Sequence, residues 1–314
     1  MTRGVRWVVW ASVVGMFVVI LMGALVTKTG SADGCGDSWP LCDGQLLPAW
    51  EREALIEFSH RVVSGIEGIL VVAMAVLLWR GFKQHREIRV LVPLALLFLF
   101  LQAALGAMAV VWPQPKTVLA LHFGISLVAF ATVFLPAVFL EQGDAFRALR
   151  GRPVTRSLRR LIWFAALYVY VIVYSGAYVR HTGSDLACPD FPLCNGSLFP
   201  GFSGYVGIHF AHRLLAFGGI VLLTALVLAA RRMRGERPDI YRGAVWALWG
   251  IVLQAASGAL SVLSRLALPM MMLHSAIVTL LFGVVTYLCL QSLPPYELLE
   301  SQPAKGGKQA SVSG

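Results

Sequence analysis

Charge is what this chain has least of. Asp, Glu, Lys and Arg make up 13% of its 314 residues, hydrophobic residues make up 58%, and mean hydropathy is +0.73. That is far more apolar material than a soluble core of this length needs, so a soluble protein is excluded. Acids are scarcest, 16 Asp and Glu against 26 Lys and Arg. A net charge of +10 would suit nucleic acid, but the cations lie in short stretches between apolar runs, not along one face, and nucleic acid is not the expected partner. A small-residue cleavage site is also missing between Arg3, Arg6 and the first loop, so the first apolar run reads as a retained helix, not a cleaved signal peptide.

What is present are eight apolar runs long enough to cross a bilayer at about 20 residues each. They lie near 7–29, 53–79, 89–111, 116–140, 160–180, 205–230, 243–264 and 269–291. No soluble domain remains outside them. The basic residues fall in alternate connections: Arg80, Lys83, Arg86 and Arg89; then Arg147, Arg150, Arg152, Arg156, Arg159 and Arg160; then Arg231, Arg232, Arg234, Arg237 and Arg242. By the positive-inside rule these connections face the cytoplasm, as do both termini, with Arg3 and Arg6 at one end and Lys305 and Lys308 at the other. The connections near 30–52, 112–115, 181–204 and 265–268 then face outward. The two long ones hold four of the five cysteines, Cys35, Cys42, Cys188 and Cys194. An oxidising outer face favours a disulfide within each loop; a metal site pooling the four thiolates is the alternative, with wider spacing than a zinc knuckle uses. Cys289, in the last run, reads as a small core residue.

The chain is written twice. "GALVTKTGSADGCGDSWPLC" at 23–42 returns as "GAYVRHTGSDLACPDFPLC" at 176–194, "IEFSHR" at 56–61 as "IHFAHR" at 208–213, "LQAALGA" at 101–107 as "LQAASGA" at 253–259, and "LH" at 121–122 as "LH" at 273–274. The repeat predicts two tandem four-helix bundles. An even number of crossings leaves both facing the same way, related by a pseudo-twofold axis along the membrane normal. The join around 141–160 reads as a cytoplasmic linker.

The repeat carries histidines with it. His60 and His122 are 62 residues apart, and so are His212 and His274. Each lies near the outward end of an even-numbered helix, and a facing pair in a four-helix bundle is an axial ligand set for haem iron. Arg61 and Arg213 follow the first histidine of each pair, where they are placed for haem propionates, with snorkelling to lipid headgroups as the alternative. Gln102 and Gln254 recur as interhelical hydrogen-bonding groups or cofactor contacts. His85 and His181 read as surface residues. The copies disagree at one telling position, Glu57 against His209. Glu57 is one turn outward of His60 on the same helical face, where a carboxylate is costly unless it is used or paired with Arg61.

These motifs, with "LHFGIS", "LACPDFPLC" and "AHR", resemble heme A synthase of the bacterial type with two extracellular cysteine pairs, the family that includes the mitochondrial heme A synthase, over essentially all eight helices. The resemblance implies oxidation of the C8 methyl of heme O to a formyl group, through a hydroxymethyl stage, giving heme A for terminal oxidases. It implies a first bundle, 1–144, in which His60 and His122 hold the substrate heme O beside Glu57 as catalytic acid/base. It implies a second, 159–293, in which His212 and His274 hold a resident haem b. A linker at 145–158 and an unstructured cytoplasmic tail at 294–314 complete the expected organisation. Implied partners are heme O synthase, a farnesyltransferase, as donor and a terminal oxidase or its assembly factors as acceptor, in the cell membrane. The electron partner is not implied. A diheme electron-transfer cytochrome or a transporter are the rival readings; ligands all near one face argue against a wire across the bilayer, and polar groups at helix ends instead of the midplane argue against a transporter.

Overall fold

A computed structural model describes residues 2–112 and 114–294. Among them are eight helices and no strand: α1 Arg3–Thr29, α2 Arg52–Phe82, α3 Arg86–Val111, α4 Lys116–Arg150, α5 Arg156–Thr182, α6 Gly204–Arg231, α7 Pro238–Leu263 and α8 Leu268–Ser292. All eight are long and apolar enough to cross a membrane, and this is a multi-pass membrane protein. Large apolar side chains remain exposed along the helices, among them Trp7, Ile69, Phe100, Phe164, Phe217 and Trp246. On a soluble protein such a surface would aggregate; here it is the face that lipid covers.

Helix ends follow local chemistry. Thr2 and Thr155 cap α1 and α5, accepting from the N–H groups of Val5 and Leu158. Gly30 and Gly183 end the same two helices in the left-handed conformation, at φ 72° and 73°. The fourth helix departs from expectation. It runs ten residues past the apolar stretch to Arg150, with Gly143 out of helical geometry at φ 50°, ψ −121°. The extension is held because Phe146 is fully buried and Arg150 forms a buried ion pair with Glu87 on α3. Part of the expected linker is therefore helical, and the tail beyond residue 294 lies outside the described residues.

In the first half α1 packs on α2, α2 on α3, α3 on α4 and α4 on α1; in the second, α5 on α6, α6 on α7, α7 on α8 and α8 on α5. Each half thus closes a ring of four helices. The halves meet through α4 with α8, α4 with α5, and α1 with α8. Exchanging the halves maps this seam onto itself, as pseudo-twofold symmetry requires. On the basic side Asp239, the repeat counterpart of Glu87, pairs with the fully buried Arg237, whose Nη1 also donates to Arg152 O at 2.8 Å.

Cys35 is bonded to Cys42 and Cys188 to Cys194, and Cys289 is free and buried. Both loops fold back over their own half. Asp190 caps the second, its carboxylate accepting from the N–H groups of Asn195 at 2.7 Å and Gly196 at 2.8 Å. The Gly196 N–H and its neighbours hold that carboxyl below the usual Asp range. In the first loop Ser38 takes the same place, accepting from Gly44 N–H at 3.0 Å. Closing loops this short stabilises the folded chain by about 2–3 kcal/mol. Cys42→Ser is therefore expected to lower the unfolding temperature without unseating the helices, an expectation that equal melting of variant and wild type would refute.

Candidate functional site

A single cavity of about 1520 Å³ opens between the helices toward the disulfide loops and touches both halves. It is larger than the pockets that hold one drug-sized ligand. His60, His122, His212 and His274 all line it. His60 and His122 come from α2 and α4 of the first half, and His212 and His274 from α6 and α8 of the second.

Each ring rests on a glycine of a neighbouring helix. A Cβ at Gly23 would meet Cε1 of His60 at 3.3 Å, at Gly106 that of His122 at 3.7 Å, at Gly176 that of His212 at 2.9 Å, and at Gly258 that of His274 at 3.1 Å. The four glycines are repeat-related pairs, and an alanine at Gly176 would push the ring out of place. In the second half Nδ1 of His212 lies 2.8 Å from Ser175 Oγ, and Nδ1 of His274 lies 2.9 Å from Ser257 Oγ. In the first half Nδ1 of His122 is buried without a partner, and Nδ1 of His60 is 3.5 Å from Ser64 Oγ.

Glu57 is 3% exposed and lines the same cavity. Its Oε2 accepts from the Cys35 N–H at 2.9 Å, and its Oε1 accepts from the Arg61 guanidinium. Arg61 also donates through Nη1 to Ser38 O at 2.7 Å and to Leu41 O. Arg213 makes the equivalent clasp, donating to Asp190 O at 2.9 Å, Leu193 O at 2.8 Å and Cys188 O at 2.7 Å. Both arginines thus fasten a disulfide loop over a pair of histidines. At the Glu57 counterpart, His209 is 5% exposed and its Nδ1 has no partner.

Three residues near the histidines were not singled out as site residues by the sequence. His181, expected at the surface, is partly buried and lines the cavity. Its repeat counterpart Lys28 reaches into the second half: its Nζ donates to Met271 O, about one turn before His274 on α8, and, at 2.7 Å, to Oγ of Ser275, the residue after His274. The signal was the repeat itself, since equivalent positions at the seam must each face the other half. Glu67, two turns deeper than His60, is 4% exposed and lines the cavity; its Oε1 has no partner, and Gly15 makes room for its carboxyl. Its counterpart is Gly219.

Residues 6–286 match the family described as cytochrome oxidase assembly protein. The chain belongs to this family. Among its relatives, the heme A synthase of Symbiobacterium thermophilum is 45% identical over 296 residues, covering 93% of this chain and 96% of the relative. The heme A synthase of Bacillus cereus is 40% identical over 290 residues, 92% and 93% of the two chains. That of Bacillus licheniformis is 43% identical over 281 residues, 88% and 92%. The match to the cytochrome oxidase assembly family spans all eight helices apart from the first residues of α1 and the last of α8, so it takes in both histidine pairs, both disulfide loops and the cavity.

Proposed function

We propose that this protein is a heme A synthase that oxidises the C8 methyl of heme O to a formyl group, with the first half as the substrate site and the second as the site of a resident haem b. One observation carries the reading: two repeat-related histidine pairs line one cavity, and only the first has a buried carboxylate beside it. The donor sets fit haem, because each pair is backed by glycines that clear the rings and all four rings line the cavity. His212 and His274 hold haem b, and His60 and His122 hold heme O. When bound, haem b supplies one-electron redox chemistry next to the substrate.

The protein's own part is to bind, orient and move protons. Arg61, through Nε and Nη2, holds Oε1 of Glu57 and the Cys35 N–H holds Oε2, so the carboxylate is fixed in direction and keeps a lone pair free on Oε2. It lies one turn outward of His60, at the edge of a ring ligated there. Taking the methyl carbon to hydroxymethyl and on to a gem-diol, which loses water to leave the formyl group, needs an oxygen donor and an electron acceptor from outside the chain; Glu57's part is to manage protons or position water at that carbon. The disulfide loops, fastened by Arg61 and Arg213, cover the two sites and limit access of bulk water. The guanidiniums also place positive charge at the outer mouth, where propionates of an inserted haem would point. Heme O comes from the membrane farnesyltransferase that makes it, and heme A passes to a terminal oxidase or its assembly factors. The site faces outward in the cell membrane, with both termini in the cytoplasm.

The experiment is to extract the haems of the purified protein and weigh them. Haem b with heme O, or with its hydroxymethyl or formyl derivative, is the expected set. Haem b alone would mark an electron-transfer cytochrome and overturn the enzyme reading.

A further inference from the structure

Two copies of one pocket serve, on the reading above, as a permanent cofactor site and as a site whose occupant must leave; the inference here rests on that reading. The glycines behind the rings do not distinguish them, being present in both halves. The residue before each glycine does. In the second half it is serine both times, Ser175–Gly176 and Ser257–Gly258; in the first it is Met22–Gly23 and Leu105–Gly106. "LQAASGA" and "LQAALGA" differ at this position alone.

The serine hydrogen bonds settle the state of the rings. Ser175 Oγ donates its one proton to Ile172 O at 2.8 Å, and Ser257 Oγ donates to Gln254 O at 3.0 Å. Each hydroxyl has then spent its donor, so its contact with imidazole must run the other way, from Nδ1–H to Oγ. Nδ1 carries the proton and Nε2 carries the lone pair in both His212 and His274. With Nδ1 protonated, the Gln254 amide nitrogen, 3.0 Å from Nε2 of His274, donates to that bare ring nitrogen. The second-half rings are thereby locked in orientation and in the tautomer that binds iron. Nothing comparable holds the first half. Nδ1 of His122 has no partner, and His60 has only the 3.5 Å contact to Ser64, whose counterpart is Ala216.

We infer that Ser175 and Ser257 are positioning residues that make the second half a retaining haem site, and that Met22 and Leu105, by withholding the same hydrogen bonds, leave the first half able to exchange its haem. A ligand whose outer nitrogen is hydrogen-bonded is a stronger donor and pays no orientational entropy when the metal arrives, and loss of such a contact typically weakens metal affinity about 10–100-fold. The first half binds through the same imidazoles without that advantage, which suits a substrate that must depart as product.

The test uses the full-length protein in detergent and follows the transfer of haem b to excess apomyoglobin, together with the midpoint potential of the bound haem. Ser175→Ala and Ser257→Ala should each speed transfer about 10-fold or more. Each should also move the potential in the positive direction, because a weaker imidazole donor stabilises the ferric state less. Ser175→Thr and Ser257→Thr, which restore a hydroxyl, should return both readouts toward wild type. Threonine variants that release haem as fast as the alanine ones would show that packing, not the hydrogen bond, is responsible, and would overturn the inference. So would alanine variants with wild-type transfer and potential while His212→Ala has lost its haem b spectrum; that result leaves the site assignment standing. A His212→Ala protein that keeps the wild-type spectrum overturns the assignment itself and this inference with it.

Discussion

Glu57→Gln is expected to give a folded protein that still carries haem b but converts heme O about 10²–10⁴ times more slowly, the usual loss when a general acid/base is removed. The amide oxygen can still accept from Arg61. The amide nitrogen, however, must then face the Cys35 N–H, donor against donor, where Oε2 now accepts at 2.9 Å. That mismatch costs about 1–3 kcal/mol at a buried position and loosens the loop, so the variant has a structural defect as well as a chemical one. Haem b content, read per mole of protein, reports on the fold of the second half and should be unchanged. Glu57→Asp should retain part of the activity, its carboxylate withdrawn by one methylene. Heme A formed per haem b decides the matter: turnover near wild type in the Gln variant would leave Glu57 as the structural partner of Arg61 and Cys35 and nothing more.

The other large effect is expected at the second histidine pair. His212→Ala or His274→Ala should abolish the low-spin haem b spectrum, because each removes one of two axial ligands and the remaining ring cannot hold a six-coordinate iron alone. The helices should still insert, since the hydrophobic runs that drive insertion are untouched. His60→Ala or His122→Ala should behave differently, keeping the haem b spectrum and losing heme O conversion. Unchanged spectra in both second-half variants would refute the assignment of haem b to that half, and loss of haem b in the first-half variants would refute the division of labour between them.

Much of this architecture was readable in the residues because a bilayer permits few solutions. Backbone polar groups must be satisfied within the segment, so an apolar run of sufficient length is a helix, and the eight runs found in the sequence became α1 to α8 with ends displaced by a few residues at most, apart from the end of α4. That exception has a local cause. The stretch 141–150 is polar enough to read as linker, but Phe146 is buried and Arg150 pairs with Glu87 on α3 and donates to Leu293 O just past α8, contacts that no pattern along one helix reveals. The repeat placed His60 with His122 and His212 with His274, since two equal spacings in two copies leave little choice of partner.

By itself, then, the sequence determined the number of apolar crossings, the doubling of the four-helix pattern and the recurrence of two histidine pairs that come to line one cavity. These depend on hydropathy and on residue-by-residue recurrence, both of which are properties of the chain in order. Which way the polar groups point was decided only by the tertiary structure. Arg61 and Arg213 clasp loop carbonyls; Lys28 reaches the second half and His181 lines the cavity; Glu67 keeps an unpartnered oxygen there; and the serines before Gly176 and Gly258 set the tautomers of two rings. The reason is that a polar group buried in hydrocarbon must find its partner in three dimensions, and for most of these residues that partner lies on another helix or on a loop folded back over the bundle.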